Sequence, residues 1–193
     1  MQRIQSLCVY CGSAGAVDQR YRDAAVELGT ALAAHGIKLV YGGGQRGLMG
    51  LLADAALAAG GRVMGIIPEA MRAAEWAHEG ATELVVVDTM HERKRLMAEQ
   101  ADAFAILPGG VGTLDETFEI LSWRQLRLHD KAIFLVDVAG YWRPLRALLD
   151  HIVAAGFAAA IVPDRMRVVA GVPALMTALA QEQAGVASGT DLV

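Results

Sequence analysis

What this sequence has little of narrows its class first. Of 193 residues two are cysteine and five are proline, aromatic residues make up 6%, and 17 basic side chains fall short of 21 acidic ones, leaving a formal charge of −4. With no surplus of positive charge and a pI near 5.7, neither nucleic acid nor an anionic membrane is expected as the main partner. Long hydrophobic runs are missing too: the longest, 152–162, is far short of the ~20 residues of a membrane span. No signal-peptide core follows the first residues, because Cys8 to Gly15 turns glycine-rich at once. Cys8 and Cys11 form C-x-x-C, but no second such pair and no His pair at ligand spacing accompanies them. Strand alternation sends residues three apart to opposite faces, so we expect two buried thiols of a reduced, cytoplasmic protein and no metal site.

What is there is apolar. Hydrophobic residues make up 54% and charged ones 20%, which excludes a disordered chain, and the length suits one domain with a full core. We expect that domain to span 1–183, with the small, polar stretch 184–193 as a flexible tail.

Short β-rich runs alternate with longer helical periods. The strand candidates are Leu7–Tyr10, Ile37–Tyr41, Arg62–Ile67, Leu84–Val87, Ala103–Leu107, Ala132–Val136 and a short Arg167–Val169. Helical stretches lie near Gln19–Ala34, Leu48–Ala59, His91–Gln100, Leu114–Leu126, Trp142–Ala155 and Pro173–Gln181. Strands that are nearly continuous apolar runs are those buried on both faces. The pattern predicts an α/β fold, doubly wound, with a mostly parallel sheet and helices on both faces.

Such folds bind ligands where strand ends lead into helix N-termini. Three glycine-bearing loops stand there: Cys11-Gly12-Ser13-Ala14-Gly15, Gly42-Gly43-Gly44-Gln45-Arg46-Gly47 and Pro108-Gly109-Gly110-Val111-Gly112-Thr113. Three at one sheet edge suggest a phosphate-bearing ligand. Gly42-x-Gly44-x-x-Gly47 matches the dinucleotide fingerprint by letter but follows the second strand, so its glycines serve either a tight turn or a close approach to a ligand. The Gly109–Thr113 loop can turn successive N–H groups into one concavity beside a helix start, a phosphate cradle without a cation. It is no Walker A loop, since no Gly-Lys-Ser/Thr follows.

Thr113 is the expected N-cap of the next helix, and Thr113-Leu114-Asp115-Glu116 reads as a capping box. Spacing alone leaves Glu116 open between that role and catalysis. Upstream, Asp88 or Thr89 is expected to cap a helix whose first turns carry Arg93, Lys94 and Arg95 against the helix dipole. Arg95 reads as solvated, whereas Arg93 and Lys94 stay open between a solvated patch and a ligand anion or a pairing with Glu116. His91 could serve as an acid–base residue, but a lone His near a helix start is more often a capping or surface residue.

Taken together these motifs resemble one family. Pro108-Gly109-Gly110-Val111-Gly112-Thr113-Leu114-Asp115-Glu116 resembles the PGGxGTxxE signature of the LONELY GUY (LOG) family, and Met90-His91-Glu92-Arg93-Lys94 its MHxRK segment. Cys11-Gly12-Ser13, Tyr41-Gly42-Gly43-Gly44 through Gly50, Trp123-x-Gln125-Leu126 and His129-Asp130-Lys131 match in order and approximate spacing. The resemblance implies a Rossmann-like fold, a homodimer, and a phosphoribohydrolase that cleaves cytokinin riboside 5′-monophosphates, and AMP in bacterial relatives, to free base and ribose 5-phosphate, without a cofactor. It implies Glu116 as catalytic acid, Arg93 as catalytic arginine, and substrate binding by Lys94, Gly109, Gly110, Val111, Gly112 and Thr113. Glu75 and Ser122 fall where relatives contact the nucleotide, and Gly12, Ser13, Gly43 and Gly44 are assigned to substrate binding with them. Met49, Met90, Met97 and Trp123 are candidates for the base pocket. Two other classes compete. A nucleotide sensor would use the same loops without needing Arg93 to meet Glu116. A pyridoxal-phosphate decarboxylase would need a Schiff-base lysine, for which Lys94 is the candidate, since Lys38 and Lys131 start strands at the opposite edge.

Overall fold

A computed structural model describes residues 4–75, 77–159 and 165–188, with the side chains of residues 73, 75 and 183–188 left aside. Seven parallel strands form one sheet in the order β4-β3-β2-β1-β5-β6-β7. They are β1 (Ser6–Tyr10), β2 (Lys38–Tyr41), β3 (Val63–Pro68), β4 (Glu83–Val87), β5 (Ala103–Ile106), β6 (Ile133–Val136) and β7 (Arg167–Val169). The helices are α1 (Gln19–Ala34), α2 (Gly47–Ala58), α3 (Glu69–Glu75), α4 (Met90–Glu99), α5 (Val111–Gln125), α6 (Arg143–Ala154) and α7 (Val172–Ser188), with a 3-10 turn at Val138–Gly140. Every residue of β1, β3, β5 and β6 is buried, while the edge strands β4 and β7 are part-exposed. Strands covered on both faces have no solvent side on which to alternate, which is why they read as unbroken apolar runs.

The period of two still sorts side chains within those runs. Leu7, Val9 and Cys11 join the core shared with α1, α2 and α7, and Cys8 and Tyr10 join the core shared with α4, α5 and α6. The two thiols therefore lie on opposite faces, both buried and unpaired with each other. Winding runs outward from β1 toward β4 and then restarts at β5, so β1 and β5 are adjacent (Leu7 opposite Ala103, Tyr10 opposite Ile106). This is the switch point at which doubly wound sheets open a crevice. Among the described residues no helix is long and apolar enough to cross a membrane.

Three features depart from the sequence expectation. α3 is an added helix of about two turns after Pro68, too short to carry a periodic stripe. α7 runs on to Ser188, into the stretch read as tail. The third bears on function: α5 begins at Val111 with Gly110 as its N-cap, and no side chain caps it. Thr113 is thus inside the helix, buried, with its carbonyl accepting from Thr117 Oγ1 at 2.6 Å. The expected Thr113–Glu116 capping box does not form. Instead the box is at α4: Thr89 Oγ1 accepts from the Glu92 N–H and Glu92 Oε2 from the Asp88 N–H, each at 3.1 Å.

Candidate active site

The loops after β1, β2 and β5 are stitched together by their backbones. Gly12 N–H donates to Pro108 O at 3.1 Å, and Leu48 N–H donates to Gly12 O at 2.9 Å. Between them lies a cavity of about 390 Å³. One wall is the Gly109–Thr113 segment, another runs from Cys11 to Ala14, and Arg93 and Glu116 reach it from α4 and α5. The first N–H groups of α5 have no partner within the helix. With no side chain covering them, they present the partial positive end of the helix to the cavity.

Arg93 is 5% exposed although it sits near the start of a helix. Its cost is offset by acceptors from three elements. Nε donates to Ile66 O of β3 at 3.1 Å, Nη2 to Gly42 O beyond β2 at 3.0 Å, and Nη1 lies 3.8 Å from Glu116 Oε1. A Cβ at Gly42 would collide with this guanidinium, so the first glycine of the second loop clears the path of the arginine. Likewise a Cβ at Gly109 would collide with Thr113 Oγ1, so only glycine lets the loop close against the first turn of α5.

Glu116 lies in poorly solvated surroundings. Burial pushes the thiols of Cys8 and Cys11 far above their ordinary range, and the negative charge of Glu116 adds to the shift. Tyr10 is raised by burial, by Cys8 and by Glu116 in turn. Cys11 lines the cavity but stays a protonated thiol at neutral pH, which removes it as a nucleophile. Glu116 brings a carboxyl group to the cavity beside Arg93. Among the described residues no cluster of three or more His, Cys, Asp or Glu is placed to hold a metal ion.

Residues 49–179 match the family described as possible lysine decarboxylase. The chain is 45% identical over 171 residues to the cytokinin riboside 5′-monophosphate phosphoribohydrolase LOG of Oryza sativa subsp. japonica, covering 89% of this chain and 69% of that one. It is 49% identical over 154 residues to the cytokinin riboside 5′-monophosphate phosphoribohydrolase of Rhodococcoides fascians, covering 79% and 78%. The chain belongs to the LOG family. It spans 64% of a longer rice relative, a probable member of the same family. The molybdenum cofactor carrier protein of Chlamydomonas reinhardtii superposes with a TM-score of 0.71 at 22% identity, covering 93% of this chain and 98% of that one, a likeness of fold.

The decarboxylase description finds no lysine to serve it. Lys38, Lys94 and Lys131 are the lysines of the chain, and none lines the cavity. Lys94 Nζ is held between Asp115 Oδ2 (3.0 Å) and Glu119 Oε1 (3.2 Å). Burial works to lower its pKa, but the two carboxylates outweigh it and the net shift is upward. A Schiff-base lysine needs the reverse, a depressed value that frees the amine. Lys131 Nζ donates to Ala98 O at the end of α4.

Of the residues singled out from the LOG signature, the cavity brings together Glu116, Arg93, Gly12, Ser13, Gly109, Gly110, Val111, Gly112 and Thr113. Lys94 ties α4 to α5 outside it. Ser122 is exposed farther along α5. Gly43 and Gly44 stand apart from the cavity, their segment bonded to residues 77 and 78. The side chain of Glu75 lies outside the described residues. Met49 and Met97 line the cavity; Met90 does not, and Trp123 borders a separate cavity with Phe104, Leu128 and His129. Sequence reasoning missed Tyr21 and Tyr141, and read Gly42 only as one of the glycines of a tight turn or a close approach to a ligand. Tyr141 comes from the turn after β6, which carries no glycine-loop signature to flag it.

Proposed function

We propose that this chain hydrolyses the N-glycosidic bond of adenine-type nucleoside 5′-monophosphates, AMP and N6-substituted cytokinin forms included, to free base and ribose 5-phosphate. The observation that carries this reading is the meeting of Glu116 and Arg93, 3.8 Å apart, in the cavity that the uncapped start of α5 also faces. The 5′-phosphate accepts from the first N–H groups of α5. From Gly112 to Glu116 the helix rises about 6 Å, comparable to the reach of ribose 5-phosphate from phosphorus to C1′. Binding energy at the phosphate thereby orients the sugar at the carboxylate.

As the C1′–N bond breaks, its electron pair leaves with the base, which takes up the proton that the attacking water gives up through Glu116, so the carboxylate is restored. Positive charge builds on C1′, where the Glu116 carboxylate stabilises it and accepts a proton from the attacking water as the new C1′–O bond forms. Arg93, held by two strand-end carbonyls, orients that carboxylate. Gly12 and Ser13 and the segment 109–113 contact the nucleotide in this reading. A homodimer in a reducing cytoplasm is part of the same proposal. Two buried free thiols suit that compartment, and Leu126 and Leu128, each 69% exposed, offer apolar surface to a second copy, which light scattering will test.

The deciding experiment incubates the protein with AMP and with isopentenyladenosine monophosphate and looks for free base and ribose 5-phosphate. Release is expected from the unaltered protein and not from Glu116→Gln, which should still bind ribose 5-phosphate. Binding without release from the unaltered protein would leave a sensor in place of an enzyme.

A further inference from the structure

One polar residue of the cavity wall has no part in the chemistry above. Tyr141 follows the turn after β6 and donates its phenolic O–H to Gly109 O at 2.7 Å. Its ring meets Tyr21 edge-on (5.3 Å between centroids, 73°) and Trp142 edge-on (4.8 Å, 84°). Trp142 is buried, and its backbone N–H is tied to Asp137 Oδ1 at 2.9 Å. The residue is 37% exposed, with its O–H bonded to the loop and its ring flanked by two other aromatics. The turn that presents it uses two left-handed residues, Ala139 (φ 53°) and Gly140 (φ 76°). An alanine seldom adopts that conformation, and strain kept beside a ligand cavity points to use.

The bond falls at a telling place. Three successive carbonyls lead into α5, and each accepts one hydrogen bond: Pro108 O from Gly12 N–H, Gly109 O from Tyr141, Gly110 O from Leu114 N–H. The middle one is made by a side chain. A trans peptide points its C=O and the following N–H in opposite directions, so the grip on Gly109 O also sets the direction of the Gly110 N–H at the mouth of the cradle.

We propose that Tyr141 is a positioning residue for the phosphate cradle: its O–H fixes the Gly109–Gly110 peptide plane and so sets affinity for a sugar 5′-phosphate. The role rests on the function proposed above for the use of the cradle, but it is tested without turnover.

Tyr141→Phe keeps the ring and deletes the O–H. Calorimetry is expected to show ribose 5-phosphate binding weakened about tenfold, the worth of one hydrogen bond, with adenosine binding unchanged. With AMP, kcat/KM is expected to fall in step, because the phosphate grip that orients the sugar is weakened. Wild-type affinity for ribose 5-phosphate in the variant overturns the proposal, and so does an equal loss for adenosine, which would make Tyr141 a support of the whole cavity. In the unaltered protein ribose 5-phosphate should shift the Gly110 amide resonance, and a silent Gly110 also overturns it. Binding of ribose 5-phosphate with this dependence, but no release of adenine from AMP, sinks the enzymatic reading and leaves Tyr141 its role.

Discussion

Two neighbouring helices begin with the same four-residue spelling, Thr-x-x-Glu, and use it in opposite ways. At α4, Thr89 and Glu92 bond back to the backbone and close the helix start. At α5, Thr113 and Glu116 lie inside a helix that has already begun at Val111 and carries no side-chain cap. A capped start has already engaged the Glu92 N–H and sets a carboxylate beside it, which disfavours an anion there. An open one keeps its first N–H groups for a ligand, and it releases its glutamate to face Arg93. The difference teaches that a capping motif becomes a functional one when the chain before it can enter the helix earlier. Here Gly109 and Gly110 permit that entry.

The largest expected effect separates the two glutamates. Glu116→Gln should lower kcat on AMP by about 10²–10⁴-fold, while Glu92→Gln should leave turnover in place; equal losses at the two sites would erase the distinction. Next comes the arginine between them. Arg93→Met strips partners from buried carbonyls and from Glu116, and urea unfolding should register about 3–5 kcal/mol of lost stability alongside lost turnover. Thr89→Ala should cost about 1 kcal/mol through the lost cap, read as a lower denaturation midpoint with kcat retained.

The smallest effect concerns the ion pairs joining the two helices. Lys94 has its pKa raised in the folded state. Their stabilisation is therefore complete below the ordinary lysine value, near 10.5, and is lost as pH climbs through the raised one. Lys94→Met should flatten that alkaline decline in thermal midpoint, and an unchanged slope would show that these pairs contribute nothing.

Much of this fold is legible along the chain because its cause is local or periodic. Each strand was expected within a residue or two, since apolar runs such as Ala103–Ile106 are short and bounded by breakers. The C-x-x-C thiols were expected on opposite faces, and the alternation of β1 puts them there. Arg95, read as solvated, is an exposed partner of Glu99. Other features depend on residues far apart in sequence. Arg93 is stabilised by carbonyls 27 and 51 positions away, and Tyr141 reaches a carbonyl 32 positions away. No window of sequence contains both ends of such a contact. Gly42 was read among the glycines of a tight turn or a close approach to a ligand, but the group that approaches it is an arginine from another element.

The amino-acid order alone determined the alternation of strands and helices, the burial of both sheet faces and the placing of three glycine loops at strand ends, because these follow from side-chain periodicity and backbone freedom within a few residues. The tertiary structure alone decided which Thr-x-x-Glu closes its helix, which lysine is locked away from the cavity and which tyrosine holds the glycine loop. Those outcomes are settled by competition for hydrogen-bond partners that only the folded sheet brings within reach.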